Sequence, residues 1–196
     1  YELMEEMANA LREERERLDS EVMEPLEKLE AVVPLSRDEA RMKIRAAVEA
    51  ARESGILVLA RTDCRPTQGI DEAVARIEMY VEEGADMVAL SFVRSAHDIR
   101  RVGTEPHPRG PMIVAKIETR AAVENLDGII EASGAVMVAR GDLGIELPLE
   151  QVPMVQKQLL RRAGAMARPS ITATQMLDSM VTAARPTRAE VNDVAN

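Results

Sequence analysis

"VMVARGDLGIELP", residues 136–148, opens as a β-strand and closes as something else. Val136, Met137, Val138 and Ala139 are apolar enough to be buried, yet they run straight into Arg140-Gly141-Asp142. Three readings compete. Arg-Gly-Asp is an adhesion tripeptide, but that role needs an exposed loop on a secreted protein, and nothing else in the chain points to secretion. Gly and Asp are also common in ordinary surface turns. The third reading is a site, because glycine lets a ligand approach backbone N–H groups closely and an aspartate holds a metal ion. The surrounding chain decides.

On either side of this stretch, strand-like and helix-like segments alternate. Ser36 with Glu39 forms a capping box that opens a helix to about Ser54, stopped by Gly55. "ILVLARTD" (56–63) reads as a buried strand, followed by a helix from about Asp71 to Glu83. "MVALSFV" (87–93) is the next strand, with Ser95 and Asp98 capping the helix after it. "MIVAKIE" (112–118), a helix near 119–133, "AVMVARGD" (135–142), a helix near 149–167 and "SITATQM" (170–176) continue the run, and Thr187 with Glu190 opens a last helix. Five short apolar strands separated by helices predict an α/β fold with a parallel sheet and right-handed crossovers. The dinucleotide fingerprint and the phosphate P-loop are both absent, which favours part of a (β/α)₈ TIM barrel over an open doubly wound sheet. A full barrel takes about 250 residues, so the roughly 160 residues after the first segment hold about five strand–helix units.

Composition narrows the class. The 196 residues are 46% hydrophobic and only 2% aromatic, so the core must be aliphatic. Few aromatics and a net charge of −9 argue against a nucleic-acid partner. The single cysteine, Cys64, excludes an internal disulfide and fits a reducing cytoplasm. No apolar run approaches a membrane span, so no membrane association is expected. Acidity concentrates in residues 1–31, with 11 Asp/Glu against 4 Lys/Arg, while the rest of the chain holds 23 against 21. There Leu3, Met7, Leu11, Leu18, Val22, Leu26 and Leu29 recur at helical spacing, predicting a long amphipathic helix over 1–32 ahead of a barrel segment over 33–196.

The candidate site is assembled from strand ends. Four of the five strands end in polar residues: Arg61 and Asp63, Lys116 and Glu118, Arg140 and Asp142, Thr174 and Gln175. Chemistry at the C-terminal ends of several strands is what a barrel's active face requires. Alternation places Lys116 and Glu118 on one face, where a mutual ion pair is the bland reading and a site the sharper one. Asp142 on the next strand weighs toward the site, since Glu118 and Asp142 give Mg²⁺ the one or two carboxylates it takes beside water and substrate oxygens. The N–H groups of Gly141 and Asp142 face the same opening as an anion cradle, Thr174 adds a hydroxyl, and Lys116 adds a cation for a phosphate or enolate oxygen. His97 and His107 read as surface residues, and Cys64 as a small packed side chain with no histidine near it in sequence.

These residues carry a family resemblance. "GADMVALSFVRSA", "AKIET", "ENLDGIIEAS", "VMVARGDLGIELPLEQVPMVQKQL", "ITATQMLDSM" and "RPTRAEVNDVAN" resemble pyruvate kinase, from about Gly84 to Asn196. The resemblance implies a barrel of the phosphoenolpyruvate/pyruvate-binding type, a cytoplasmic glycolytic phosphotransferase, Mg²⁺ and K⁺ as cofactors, phosphoenolpyruvate or pyruvate and ADP or ATP as substrates, and a homo-oligomer. By it Lys116 contacts the transferring phosphoryl group and stabilises the enolate. Glu118 and Asp142 ligate Mg²⁺. Ala139, Arg140, Gly141 and Asp142 receive the substrate carboxylate, and Thr174 stands beside it in protonating the enolate. Residues about 33–87, including "ILVLARTD" and "GIDEAVARIE", look more like the isocitrate lyase and phosphoenolpyruvate mutase family, where Arg61 would bind a substrate carboxylate.

The family's Asn-Phe-Ser-His segment, inserted lid, eighth strand and regulatory domain have no counterpart in this sequence. Three expectations follow. The first is phosphoryl transfer between phosphoenolpyruvate and ADP, impaired because positioning and electrostatics carry such catalysis. A residual Mg²⁺-dependent enolisation or decarboxylation of a 2-oxo acid, or a lyase remnant, is the second. The third is a non-catalytic fragment or fusion that binds anions or associates through its sheet edges.

Overall fold

The order of the strands is the order of the chain. In the computed structural model, which describes residues 35–103, 107, 109–174 and 176–195, five strands form one parallel sheet in the order β1-β2-β3-β4-β5. They are β1 Leu59–Thr62, β2 Met87–Leu90, β3 Met112–Ile117, β4 Ala135–Ala139 and β5 Ser170–Ala173. Each neighbouring pair is parallel, and helical segments occupy every crossover: α1 Arg37–Ser54 before β1, α2 Arg65–Glu82, α3 Ala96–Arg100, α4 Arg120–Glu124 with α5 Leu126–Ala132, and α6 Arg140–Glu146 with α7 Val152–Ala165. Helix α8, Arg188–Ala195, follows β5. Sequential parallel order with helical crossovers is a barrel wall, here five strands of it. The expected amphipathic helix over 1–32 lies outside the described residues.

Alternation sorts the two faces. Val88, Leu90, Ala115, Ile117, Val136 and Val138 point into the main core, where Ile77, Tyr80, Ile129, Ile130 and Leu159 of the helices meet them. The opposite face carries a smaller apolar patch of Ala89, Val114 and Ala135, with Leu59, Met112 and Met137 packed against it. The register, Leu59↔Met87↔Met112 and Met137↔Ile171, keeps all of these on one side. Arg61, Lys116, Ala139 and Ala173 share that side, because each lies an even number of residues along its strand from a patch or register partner.

The strands are shorter than their apolar runs predict, and each C-terminal limit has a cause. Strand β2 stops at Leu90 because Phe92 turns into the left-handed region at φ 55°. Strand β4 stops at Ala139 because Arg140 already begins α6, a helix that the glycine-rich "RGDLGIE" hides in the sequence. Strand β5 stops at Ala173 because Thr174 sits at φ 79°. Two helices also depart from expectation. Helix α2 starts at Arg65 rather than near Asp71, with Pro66 in its first turn and a break at Gly69 (φ 84°). The segment over 119–133 divides at Asn125 into α4 and α5.

Capping follows the motifs. Thr119 Oγ1 accepts the Ala122 N–H at 3.1 Å and donates to the Val93 carbonyl at 3.1 Å, so one hydroxyl opens α4 and ties it to the end of β2. Asp98 Oδ2 accepts the N–H groups of Arg94 (2.7 Å) and Ser95 (3.1 Å) at the start of α3. Glu190 Oε2 accepts the Thr187 N–H at 2.6 Å while Thr187 Oγ1 accepts the Glu190 N–H at 3.3 Å, a complete capping box on α8.

Candidate active site

Glu118, one residue past β3, is the most enclosed charge in the chain's strand-end region at 1% exposure. Burying a carboxylate is costly unless its oxygens are satisfied. One oxygen is: Oε2 accepts the Phe92 backbone N–H at 2.6 Å. That N–H points at Glu118 because the chain turns at Phe92, and the turn is braced from outside. Arg65 bonds the Phe92 carbonyl and pairs bidentately with Asp98, at 2.8 and 3.1 Å. The other oxygen, Oε1, has no hydrogen-bond partner among the described residues. Lys116 Nζ lies within ion-pairing distance of it, but without the alignment of a hydrogen bond.

Lys116 is itself buried, at 6% exposure. Its Nζ donates to Ser91 Oγ at 2.8 Å and stands 3.5 Å from Asp63 Oδ1. The mutual ion pair expected as the bland reading of Lys-x-Glu is therefore present, but it is one contact in a longer chain. Burial pushes the Glu118 carboxyl above its ordinary range; Lys116 and the Phe92 N–H pull it back only partly, and the negative charge of Asp142 pushes it further up. A buried carboxylate with a perturbed pKa at a strand end is a candidate for a functional role.

Arg140 answers the question of the opening tripeptide. Its guanidinium donates to the Thr174 carbonyl (Nε, 3.1 Å), meets Met176 Sδ at 2.8 Å and pairs with Asp193 Oδ1 at 2.6 Å. It thus clamps the end of β5 to α8, and at 12% exposure it is a brace within the fold. Gly141 is required by closeness: a Cβ there would stand 3.1 Å from Thr174 Cγ2. Ala139 and Leu143 are buried on either side of this turn.

Of the expected site residues, Lys116 and Glu118 lie together, and Asp142 lies close enough for its charge to act on Glu118. Arg140, Gly141 and Thr174 form a second contact group. Arg61 stands at the rim, its Nε 2.9 Å from Asp63 Oδ2 and its side chain 62% exposed. No group of three or more His, Cys, Asp or Glu side chains gathers at metal-binding spacing among the described residues. Two carboxylates remain, a number compatible with Mg²⁺ and its preference for water and substrate oxygens, and Glu118 Oε1, ion-paired with Lys116 but lacking an aligned hydrogen bond, is compatible with a ligand role. His97 and His107 are exposed and Cys64 is buried. A cavity of about 510 Å³ opens elsewhere, lined by His97, Asn125, Asp127 and Arg162, and holds none of the strand-end residues.

Sequence reading placed Asp63 at a strand end without a role, and missed Ser91 and the Phe92 N–H. Ser91 was legible in principle: it continues the inward alternation Met87, Ala89 at the one strand end that the polar-residue pattern left out.

A family model, "Pyruvate kinase, barrel domain", matches residues 36–196. The chain belongs to the pyruvate kinase barrel-domain family. Curated relatives agree. A pyruvate kinase of Bacillus licheniformis is 50% identical over 132 residues, covering 65% of this chain and 23% of the relative. One from Mycobacterium tuberculosis (strain ATCC 25618 / H37Rv) is 56% identical over 115 residues, 58% of this chain and 24% of the relative. One from Leishmania mexicana is 49% identical over 122 residues, 61% and 24%. The chain spans about a quarter of the length of the curated pyruvate kinases it matches. The family match includes residues 36–86, so it extends to the segment that the sequence motifs alone likened to another family. No helix among the described residues is long and apolar enough to cross a membrane.

Proposed function

We propose that the strand-end site binds the carboxylate and phosphoryl groups of phosphoenolpyruvate with Mg²⁺, and that its chemistry is phosphoryl transfer between phosphoenolpyruvate and ADP. The observation that carries this reading is the buried Oε1 of Glu118, ion-paired with the Lys116 ammonium but without an aligned hydrogen bond, with the Asp142 charge acting on the same carboxylate. Glu118 and Asp142 would hold the Mg²⁺, which would supply positive charge to the reacting anion. Lys116 is the cation for the transferring group and for the enolate oxygen exposed when the phosphorus–oxygen bond breaks. The displaced phosphoryl group goes to a terminal phosphate oxygen of ADP, and the enolate is completed by a proton at its methylene carbon, with Thr174 at that side. Ala139, Arg140 and Gly141 shape the carboxylate cradle, Arg140 by bracing Thr174 and Gly141 by leaving room. Arg61 is a rim cation for a substrate carboxylate, as its resemblance implies.

K⁺, a cytoplasmic setting, a homo-oligomer and the ATP/ADP partner are further parts of this reading, taken from the family. So is the division into residues 1–32, a lyase-like or mutase-like unit over 33–86 and a kinase-like unit over 87–196. The relatives are about four times as long as the segment they share with this chain.

A second reading is favoured by economy: enolisation of a 2-oxo acid would need only Lys116, a metal at Glu118 and Asp142, and the cradle at residues 139–142. A coupled assay with phosphoenolpyruvate, ADP, Mg²⁺ and K⁺ tests the first reading, and exchange of pyruvate methyl protons with solvent tests the second. Each signal should vanish in Lys116→Met. Folded protein that shows neither signal, yet binds oxalate with Mg²⁺ in a calorimeter, would reduce the site to anion binding. Absence of all three would sink the proposal.

A further inference from the structure

We propose that Asp63 is a positioning residue for Lys116, acting through Ser91; this rests on the reading that Lys116 handles the reacting anion. Asp63 follows β1, Ser91 follows β2 and Lys116 lies in β3, so the three are delivered by three adjacent strands. The donors run in one direction. Lys116 Nζ donates to Ser91 Oγ at 2.8 Å, and Ser91 Oγ donates in turn to Asp63 Oδ1. Asp63 Oδ1 also stands 3.5 Å from Nζ, while its Oδ2 meets Arg61 Nε at 2.9 Å.

A serine hydroxyl has one proton and rotates to suit its neighbours. Ser91 is fully buried, so where that proton goes decides whether its lone pair faces the lysine. With Asp63 ionised, the proton points to the carboxylate and the lone pair is held toward Nζ, which fixes one of the three ammonium N–H bonds. Glu118 Oε1 lies within ion-pairing distance without an aligned hydrogen bond, which leaves the other N–H bonds for a ligand. The relay matters most when Glu118 shares its charge with a cation. The Lys116 ammonium, 6% exposed, then keeps Asp63, shared with Arg61, as its remaining counter-charge. Asp63 remains 45% exposed and also pairs with Arg61, so a readout on the lysine itself is what isolates its action through Lys116.

The test reads the lysine directly. The chain has four lysines (Lys28, Lys43, Lys116 and Lys157), so ¹⁵N-lysine labelling gives a four-signal ammonium spectrum in which Lys116→Met assigns the signal of interest. In ligand-free protein, Asp63→Asn and Ser91→Ala should each speed exchange of the Lys116 ammonium protons with water by about tenfold, the effect expected for loss of a charge-assisted hydrogen bond. Asp63→Glu should restore much of the protection, and a role confined to fold stability would not produce that rescue. Where wild-type protein turns over phosphoenolpyruvate, kcat in Asp63→Asn should fall by about tenfold with KM held within about twofold, because the lost interaction belongs to the transition state. Unchanged exchange in folded Asp63→Asn would overturn the proposal, whatever the activity. Should Asp63→Asn fail to fold, unchanged exchange in Ser91→Ala would overturn it equally. A wild type silent toward phosphoenolpyruvate but showing the exchange difference would instead refute the phosphotransfer reading and leave the positioning role standing.

Discussion

Arg140 and Asp193 meet through a guanidinium nitrogen and Oδ1 at 2.6 Å, joining the helix that opens after β4 to the last helix of the chain. The same guanidinium holds the Thr174 carbonyl, so Asp193 reaches the candidate cradle through one intermediary. Asp193→Ala should therefore weaken oxalate binding in the presence of Mg²⁺ by about tenfold, the effect of freeing one charge-assisted anchor. Titration calorimetry measures it. Binding unchanged in this variant would show that Arg140 holds Thr174 unaided.

Gly141 offers a finer probe of the same contact. Its added Cβ would meet Thr174 Cγ2 at 3.1 Å, tight enough that the threonine must give by a few tenths of an ångström. Thr174 already sits at φ 79°, where a β-branched residue has little freedom to adjust. Gly141→Ala is expected to keep the fold, with its melting temperature within a few degrees, while cutting anion affinity; about 1–3 kcal/mol is the usual cost of overpacking. Wild-type affinity in the variant would mean the cradle does not depend on that closeness.

The metal prediction turns on Glu118. Its carboxyl is pushed above the ordinary range, chiefly by burial, so cation binding must displace a proton more often than at a surface carboxylate. Mg²⁺-dependent thermal stabilisation should strengthen as pH rises from 5 toward 8. In Glu118→Gln it should disappear at every pH, since the amide cannot supply the charge. Differential scanning fluorimetry with and without Mg²⁺ is sufficient, and a variant that still responds to Mg²⁺ would move the metal elsewhere.

The brace behind the site is a stability element. Arg65 and Asp98 are about nine-tenths buried and paired bidentately, and Asp98 also takes the N–H groups of Arg94 and Ser95. Burial alone would raise the Asp98 pKa, but these backbone and guanidinium donors outweigh it and hold the carboxyl low. Breaking such a pair from one side leaves a buried charge, so Asp98→Ala should lose about 3–5 kcal/mol by urea denaturation. A loss below about 1 kcal/mol would class the pair with ordinary surface bridges.

How much of this was legible before the structure depends on which physical signal each feature carries. The strand–helix alternation and the Lys116–Glu118 face were readable, because period-2 burial leaves its mark in residue type. Strand ends were not. Phe92 and Thr174 take left-handed backbone although neither is glycine, so no turn residue announces the stop. The helix over Arg140–Glu146 was missed because two glycines and an aspartate speak against helix, and its packing, with Leu143 buried, overrides that. The Asp63–Ser91–Lys116 relay joins residues 28 and 25 positions apart, so only the parallel register brings it into view.

The last prediction concerns acid. Glu190 accepts from the Ser179 hydroxyl and N–H and from the Thr187 N–H, tying the turn after β5 to the start of α8. These donors, Ser179 foremost, lower its carboxyl from the ordinary 4.5 to about 2. A carboxylate with a depressed folded-state pKa contributes stability that is fully present above the unfolded value and fades as pH falls toward the folded one. The clasp should therefore hold at pH 5 and above, and loosen between about pH 4.5 and 2. Protection factors at Ser179 and over α8, taken relative to intrinsic exchange at each pH, should fall across that window in wild type. In Glu190→Gln the protection should be low already at pH 7 and flat across the same range, since no charge remains to titrate. A protection profile in Glu190→Gln that still steps between pH 4.5 and 2 would assign the transition to another carboxylate.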